Sequence, residues 1–127
     1  MISYLDTNVV YRLTLGGESG VISERARQQM ERTDLLISAM VLLELEMLYE
    51  IGKLRVGAKY LVTEFAGKIG LKICDLPMST IVASSLAIKW TREPGDRLIV
   101  ANAIANNEAP LISSDRSIRA HYANTIW

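Results

Sequence analysis

Four short apolar segments, at residues 2–5, 35–37, 71–74 and 111–112, recur along the chain with helical stretches between them. This alternation constrains the fold more than any other feature. Strands so short and so uniformly apolar have no solvent face, which places them in a parallel sheet covered by helices on both sides. The expected architecture is a three-layer α/β/α domain on a central, mostly parallel sheet of four or five strands. Residues 125–127 are the candidate fifth strand, at an edge. At 127 residues the chain matches one domain of ordinary size, spanning positions 1–127.

Helices are expected at residues 9–14, 21–32, 39–51, 58–68, 79–90 and 96–106, with a short one near Ile118. Ser38 and Ser79 stand where N-caps belong, and Gly52 and Gly70 where helices end. Pro77, Pro94 and Pro110 all fall between periodic segments. In open parallel sheets ligands bind beyond the carboxyl ends of the strands. Residues that directly follow strands are therefore the first candidates for function.

Composition narrows the choice. Lys+Arg and Asp+Glu number 14 each, which excludes a strongly basic nucleic-acid coat protein but not a local contact patch. Cys74 is the only cysteine, and no Cys/His cluster has zinc-ligand spacing, as befits a reducing compartment. The longest apolar-rich stretch, 35–47, is cut by Ser38, Glu44 and Glu46 and is far short of the roughly 20 residues that cross a bilayer. No leader pattern opens the sequence, so the expectation is a soluble, cytoplasmic protein with no membrane partner. The single histidine, His121, has no companions for a nucleophilic triad, and no GxGxxG or Walker loop is present.

What remains is acidic. Asp6 follows the first strand, Asp115 the last buried one, and Asp96 opens the most apolar helix. Each also stands at an expected helix start, where aspartate is a favoured cap. Glu44 is harder to explain that way. At about 100° per residue, Val41, Leu42, Leu45, Leu48 and Tyr49 form the core-facing arc of its helix. Glu46 and Glu50 then fall on the solvent side, whereas Glu44 lies within an apolar sector. A carboxylate there is costly unless paired, protonated or bound to a cation. Four gathered carboxylates without a neutralising lysine repel one another, and a hard divalent cation relieves that repulsion. Such a cation can activate water and stabilise the charge that develops in phosphodiester cleavage. Ser113 orients the cluster or simply ends its strand, and Asn102 is a supporting group or a hydrogen-bonded core residue.

YLDTN near the start, SAMVLLELEMLYEIGKL, PGDRLIVANA and LISSDRSI occur in this order along the chain. With these four motifs the sequence resembles the PIN-domain ribonucleases, most closely their toxin members of the VapC type. The family's acidic positions fall on Asp6, Glu44, Asp96 and Asp115, and its usual Ser or Thr two residues before the last aspartate falls on Ser113. A further acid found in some PIN domains is replaced here by Arg116 and Ser117. The resemblance implies a Mg²⁺-dependent endoribonuclease, with Mn²⁺ able to substitute, that cleaves RNA by metal-activated water. Asp6, Asp96 and Asp115 are the implied metal ligands, and Glu44 binds metal or positions the water. It also implies a homodimer and a cognate antitoxin partner. Arg12, Arg97, Arg116 and Arg119 are the candidate contacts to RNA. Two alternatives stay open at this point: a catalytically silent PIN-like interaction module, and a phosphotransfer domain using Asp6 as nucleophile.

Overall fold

A computed structural model describes all 127 residues of the chain. Its strands β1 (Ile2–Leu5), β2 (Asp34–Ile37), β3 (Lys72–Ile73), β4 (Leu111–Ile112) and β5 (Thr125–Ile126) form one sheet. The order is β3-β2-β1-β4-β5, and every pairing is parallel. Seven α-helices cover it: α1 (Thr7–Leu13), α2 (Glu24–Arg32), α3 (Ala39–Glu50), α4 (Ala58–Ile69), α5 (Met78–Ser85), α6 (Pro94–Ala105) and α7 (Arg116–His121). This is the expected three-layer α/β/α arrangement, with five strands. No helix is long and apolar enough to cross a membrane.

The chain lays β1, β2 and β3 outward to one edge, then returns to the far side of β1 for β4 and β5. That reversal leaves a switch point between β1 and β4, the place where a crevice opens at the carboxyl ends of a parallel sheet. Tyr4 pairs with Leu111 and Leu5 with Ile112, so the residues that follow both strands emerge side by side. The core beneath them is continuous. Tyr4, Leu5, Ile37, Leu111 and Ile112 from the sheet meet Val41 and Leu45 of α3, Ile99 and Val100 of α6, and Ile118 of α7.

Local chemistry explains where the elements differ from expectation. The helix expected at 21–32 starts only at Glu24, because Ser23 Oγ accepts from Ala26 N (3.1 Å) and a 3-10 turn, Gly17–Gly20, precedes it. The helix expected at 79–90 begins at Met78 and stops at Ser85, so Ser79 lies inside it rather than capping it. The helix α6 begins at Pro94, whose fixed φ suits a first helical position. Asp96 is therefore in its first turn and is not the cap; Glu93 is, accepting from Gly95 N. Gly70 closes α4 at φ 70°, a left-handed conformation that favours glycine.

The solvent-side placement of Glu46 also needs correction. Val41 and Leu45 are fully buried as expected, but Tyr49 is 43% exposed. Glu46 is half-buried, and its Oε1 accepts from Ala58 N at 3.0 Å. The residue at the N-cap of α4 is Gly57, which has no side chain to offer. Glu46 thus caps the neighbouring helix from α3. Glu46→Ala should lower stability in urea unfolding by about 1 kcal/mol. Glu46→Gln keeps an acceptor oxygen and should lose less than half of that.

A candidate metal centre at the sheet switch point

Asp6 leaves the end of β1 with its carboxylate only 4% exposed. Three donors meet it. Thr7 N donates to Oδ1 (2.8 Å), while Ser113 Oγ (2.6 Å) and Asn8 Nδ2 (2.9 Å) donate to Oδ2. Ser113 stands just beyond β4, and its Oγ in turn accepts from Asp115 N at 3.0 Å. Asn8 Oδ1 accepts from Ser114 Oγ at 3.1 Å. The two loops that flank the switch point are therefore laced together through one carboxylate.

Glu44 reaches the same place from α3. Thr7 Oγ1 donates to its Oε1 at 2.5 Å. Its Oε2 packs over Gly95, where a Cβ would collide with that oxygen and come within 3.0 Å of Glu93 Oε1. Glycine at 95 lets the Glu44 carboxylate lie this close, and a side chain there would push that carboxylate aside. Asp96 follows on the first turn of α6, and Asp115 caps α7 by accepting from Ile118 N at 2.9 Å. For Asp6 and Asp115, capping and a place in the cluster coexist.

Asp6, Glu44, Asp96 and Asp115 line one cleft of about 470 Å³, with Tyr11, Leu48 and Ile51 among its apolar walls. Burial pushes Asp6 up to about 6, against the Ser113 and Thr7 hydrogen bonds, and the Glu44 and Asp115 charges add to the rise. Asp96 is likewise pushed up to about 6, first by burial and then by Asp6, Asp115 and Glu93. Glu44 is raised by burial, partly offset by Thr7, with Asp96 and Glu93 adding to it. The three ion pairs of the molecule all lie on exposed faces of α2 and α4. Lys53 does reach the wall of the cleft, which the expectation of a lysine-free cluster overlooked, but it pairs with none of the carboxylates.

The donor chemistry fits a hard divalent cation: oxygen ligands only, mutually repelling and unpaired. No three acidic, histidine or cysteine side chains converge into a ready-made cage. Mg²⁺ does not ask for one, since it commonly takes one or two carboxylates and completes its shell with water and phosphate. Carboxylates spread along a cleft wall suit that demand.

Other sequence candidates are placed elsewhere. Asn102 lies in the core, where Nδ2 donates to Tyr4 Oη and Cys74 Sγ, both at 3.2 Å, and Oδ1 is buried without a partner. It does not line the cleft. Arg12 is engaged, donating to Val21 O at 2.9 Å and stacking over Trp127, and Arg97 donates to Ser85 O at 3.0 Å. Arg116 and Arg119 remain exposed. Thr7, Asn8 and Lys53 are cleft residues that sequence reasoning missed, as it did Gly95 beneath the Glu44 carboxylate. The signal for the first two is their place directly after Asp6 in the YLDTN motif.

The PIN domain family model matches residues 3–124, and the chain belongs to that family, whose members are nucleases. Among solved structures, the fold is similar to a chain of VapBC2 from Rickettsia felis, bound to a DNA fragment from its promoter. The TM-score is 0.70 at 19% identity, covering 98% of this chain and 96% of that one. A toxin–antitoxin complex from Klebsiella pneumoniae is also similar, with TM-score 0.67, 18% identity and the same coverage of 98% and 96%. None of the curated proteins compared matches the sequence.

The raised carboxylates make a pH prediction. Between about 4 and 6 the folded protein holds protons on Asp96 that the unfolded chain has released, so folding is favoured as pH falls through that window. Above it, the ionised Asp96 opposes folding. Asp96→Asn is the clean comparison, because it removes the charge while nothing in the cleft donates a hydrogen bond to Asp96. In chelator the variant should melt above the wild type at pH 7, and the difference should vanish near pH 4. Asp6→Asn is less clean, since an amide nitrogen would face two of its three donors.

Proposed function

We propose that the chain is a divalent-metal-dependent endoribonuclease and the toxin of a toxin–antitoxin pair. The observation that carries this reading is the cleft: four carboxylates face one hollow at the switch point, and no cation is paired with them. Membership of a nuclease family supports it. The similar folds found in toxin–antitoxin complexes support the toxin role and a small antitoxin partner. Mg²⁺ is the proposed cation, replaceable by Mn²⁺, with Asp6, Asp96 and Asp115 as its ligands. Exposed Leu43, Met47 and Ile51 on one side of α3 and just beyond it support a homodimer. The proposed place of action is the cytoplasm, where RNA is within reach.

When bound, the cation would offset the negative charge that builds on the phosphate during displacement. The remaining work falls to side chains. Asp6, held by three donors, cannot swing away from its place. Glu44 has one oxygen held by Thr7, which leaves Oε2 to accept the proton of a water attacking the phosphorus. Its raised pKa brings it nearer the range where a general base is effective. The phosphorus–3′ oxygen bond breaks, the expelled oxygen takes a proton from solvent water, and the ends left are a 5′-phosphate and a 3′-hydroxyl. Arg116 and Arg119 are the exposed cations beside Asp115 that suit the RNA backbone. The phosphotransfer alternative loses ground, because both oxygens of a 4%-exposed Asp6 already accept hydrogen bonds.

Cleavage of RNA should stop in EDTA and return with Mg²⁺ or Mn²⁺. Glu44→Gln and Asp96→Asn should each lower it by ~100-fold or more, and Mg²⁺ should raise the melting temperature of the wild type but not of Asp96→Asn. Cyclic 2′,3′-phosphate products, or full activity in EDTA, would overturn the mechanism.

A second expected outcome concerns the seat of Glu44. Thr7→Val should lose most of kcat while Thr7→Ser, which retains the hydroxyl, restores it. Gly95→Ala should also lower kcat by displacing the Glu44 carboxylate, with far-UV circular dichroism unchanged.

A further inference from the structure

A second hollow of about 570 Å³ opens next to the acidic cleft, and Lys53 stands on the wall of both. Its floor is apolar, built from Leu54, Leu61 and Phe65. Its rim is cationic. Lys68 is neutralised by Glu64 at 2.6 Å, but Lys53 and Arg55 are exposed and form no ion pair. The turn that carries them is well anchored: Gly52 adopts φ 84°, and Lys53 N donates to Leu48 O at 2.9 Å. That turn follows directly on α3, the helix that carries Glu44.

We propose that this hollow holds the nucleotide next to the scissile phosphate of a single-stranded RNA. Its backbone phosphates lie on Lys53 and Arg55, and its base or ribose covers the apolar floor. The inference rests on the ribonuclease reading and extends it to the path of the substrate. Charge supplies the first reason. A polyanion led toward four carboxylates needs positive groups at the entrance, and these two have no other partner. Shape supplies the second, because a cationic rim tracks a single strand's backbone while the apolar floor, with the Phe65 ring among its residues, gives a base or ribose a surface to cover. Volume supplies the third, since a hollow of this size is in the range of small-ligand sites and takes one nucleotide. The two spaces share the Lys53 wall, so a strand that runs from one to the other passes that cation.

The test separates binding from cutting. The probe is a fluorescein-labelled, single-stranded 2′-O-methyl RNA in EDTA, which neither water nor a 2′-hydroxyl can cleave under those conditions. Its affinity is read by anisotropy over a range of salt. Lys53→Gln combined with Arg55→Gln should weaken binding by about tenfold or more at low salt. It should also flatten the salt slope by about 1.4, the value for two single-strand phosphate contacts. Arg25→Gln combined with Arg32→Gln, two exposed cations on α2, should change neither. Thermal melts of both doubles should match the wild type. Equal affinity and slope in the two double variants would overturn the proposal. So would a double variant that keeps RNA binding but loses an acidic, apolar peptide, which would assign the hollow to a protein partner. If cleavage instead persists in EDTA, the metal mechanism fails while the anisotropy comparison still decides on the groove.

Discussion

Burying the Asp6 carboxylate at the end of the central strand obliges the surrounding chain to supply donors, and the loops are shaped by that demand. Ser113, 107 residues away, meets it because β4 lies against β1 in register. Asn8 meets it from the first turn of α1, and Asn8 is itself tied to the loop after β4. A buried carboxylate without these partners would be strongly destabilising. With them, it locks the two sides of the switch point into one geometry. Glu44 and Asp96 then arrive from α3 and α6, which pack against each other.

The price of this arrangement is electrostatic. Asp6, Glu44 and Asp96 are all raised, with burial the leading cause and neighbouring carboxylates adding to it, and no cation in the fold compensates. A fold selected for stability alone would have placed an arginine here. Two arginines close to the acids in sequence are engaged elsewhere: Arg12 with Val21 and Trp127, and Arg97 with the end of α5. Local destabilisation at a cluster that other contacts over-determine is characteristic of a functional site.

Much of this was legible in the sequence. Short apolar strands alternating with helices define a parallel three-layer fold, and period counting on α3 separates Glu44 from exposed Glu50, though not from half-buried Glu46. The four acidic positions line one cleft, although only Asp6 and Asp115 follow strands, and Glu44 and Asp96 arrive on helices. What was not legible depends on tertiary partners. Glu46 caps α4 only because α3 and α4 pack together, and Gly57 offers no signal of needing help. Asn102 reads as a polar residue in an apolar helix whether it faces a cleft or Tyr4 and Cys74. The arginines carry no mark of being engaged, since their partners are backbone carbonyls and a C-terminal ring. Lys53 follows α3 by a turn, and its reach to the cleft depends on the bend at Gly52.

The strand order has a consequence for how the molecule comes into being. The central strand β1 and its neighbour β4 are far apart along the chain, and β1 is synthesised well before β4. Until residues 111–115 have emerged from the ribosome, Asp6 lacks Ser113, and Asp115 has no place beside it. Contacts so distant along the chain form late and slowly. An unfinished copy therefore holds three of its acids without the geometry that unites them. The topology itself thus withholds the cleft until both halves of the sheet have come together.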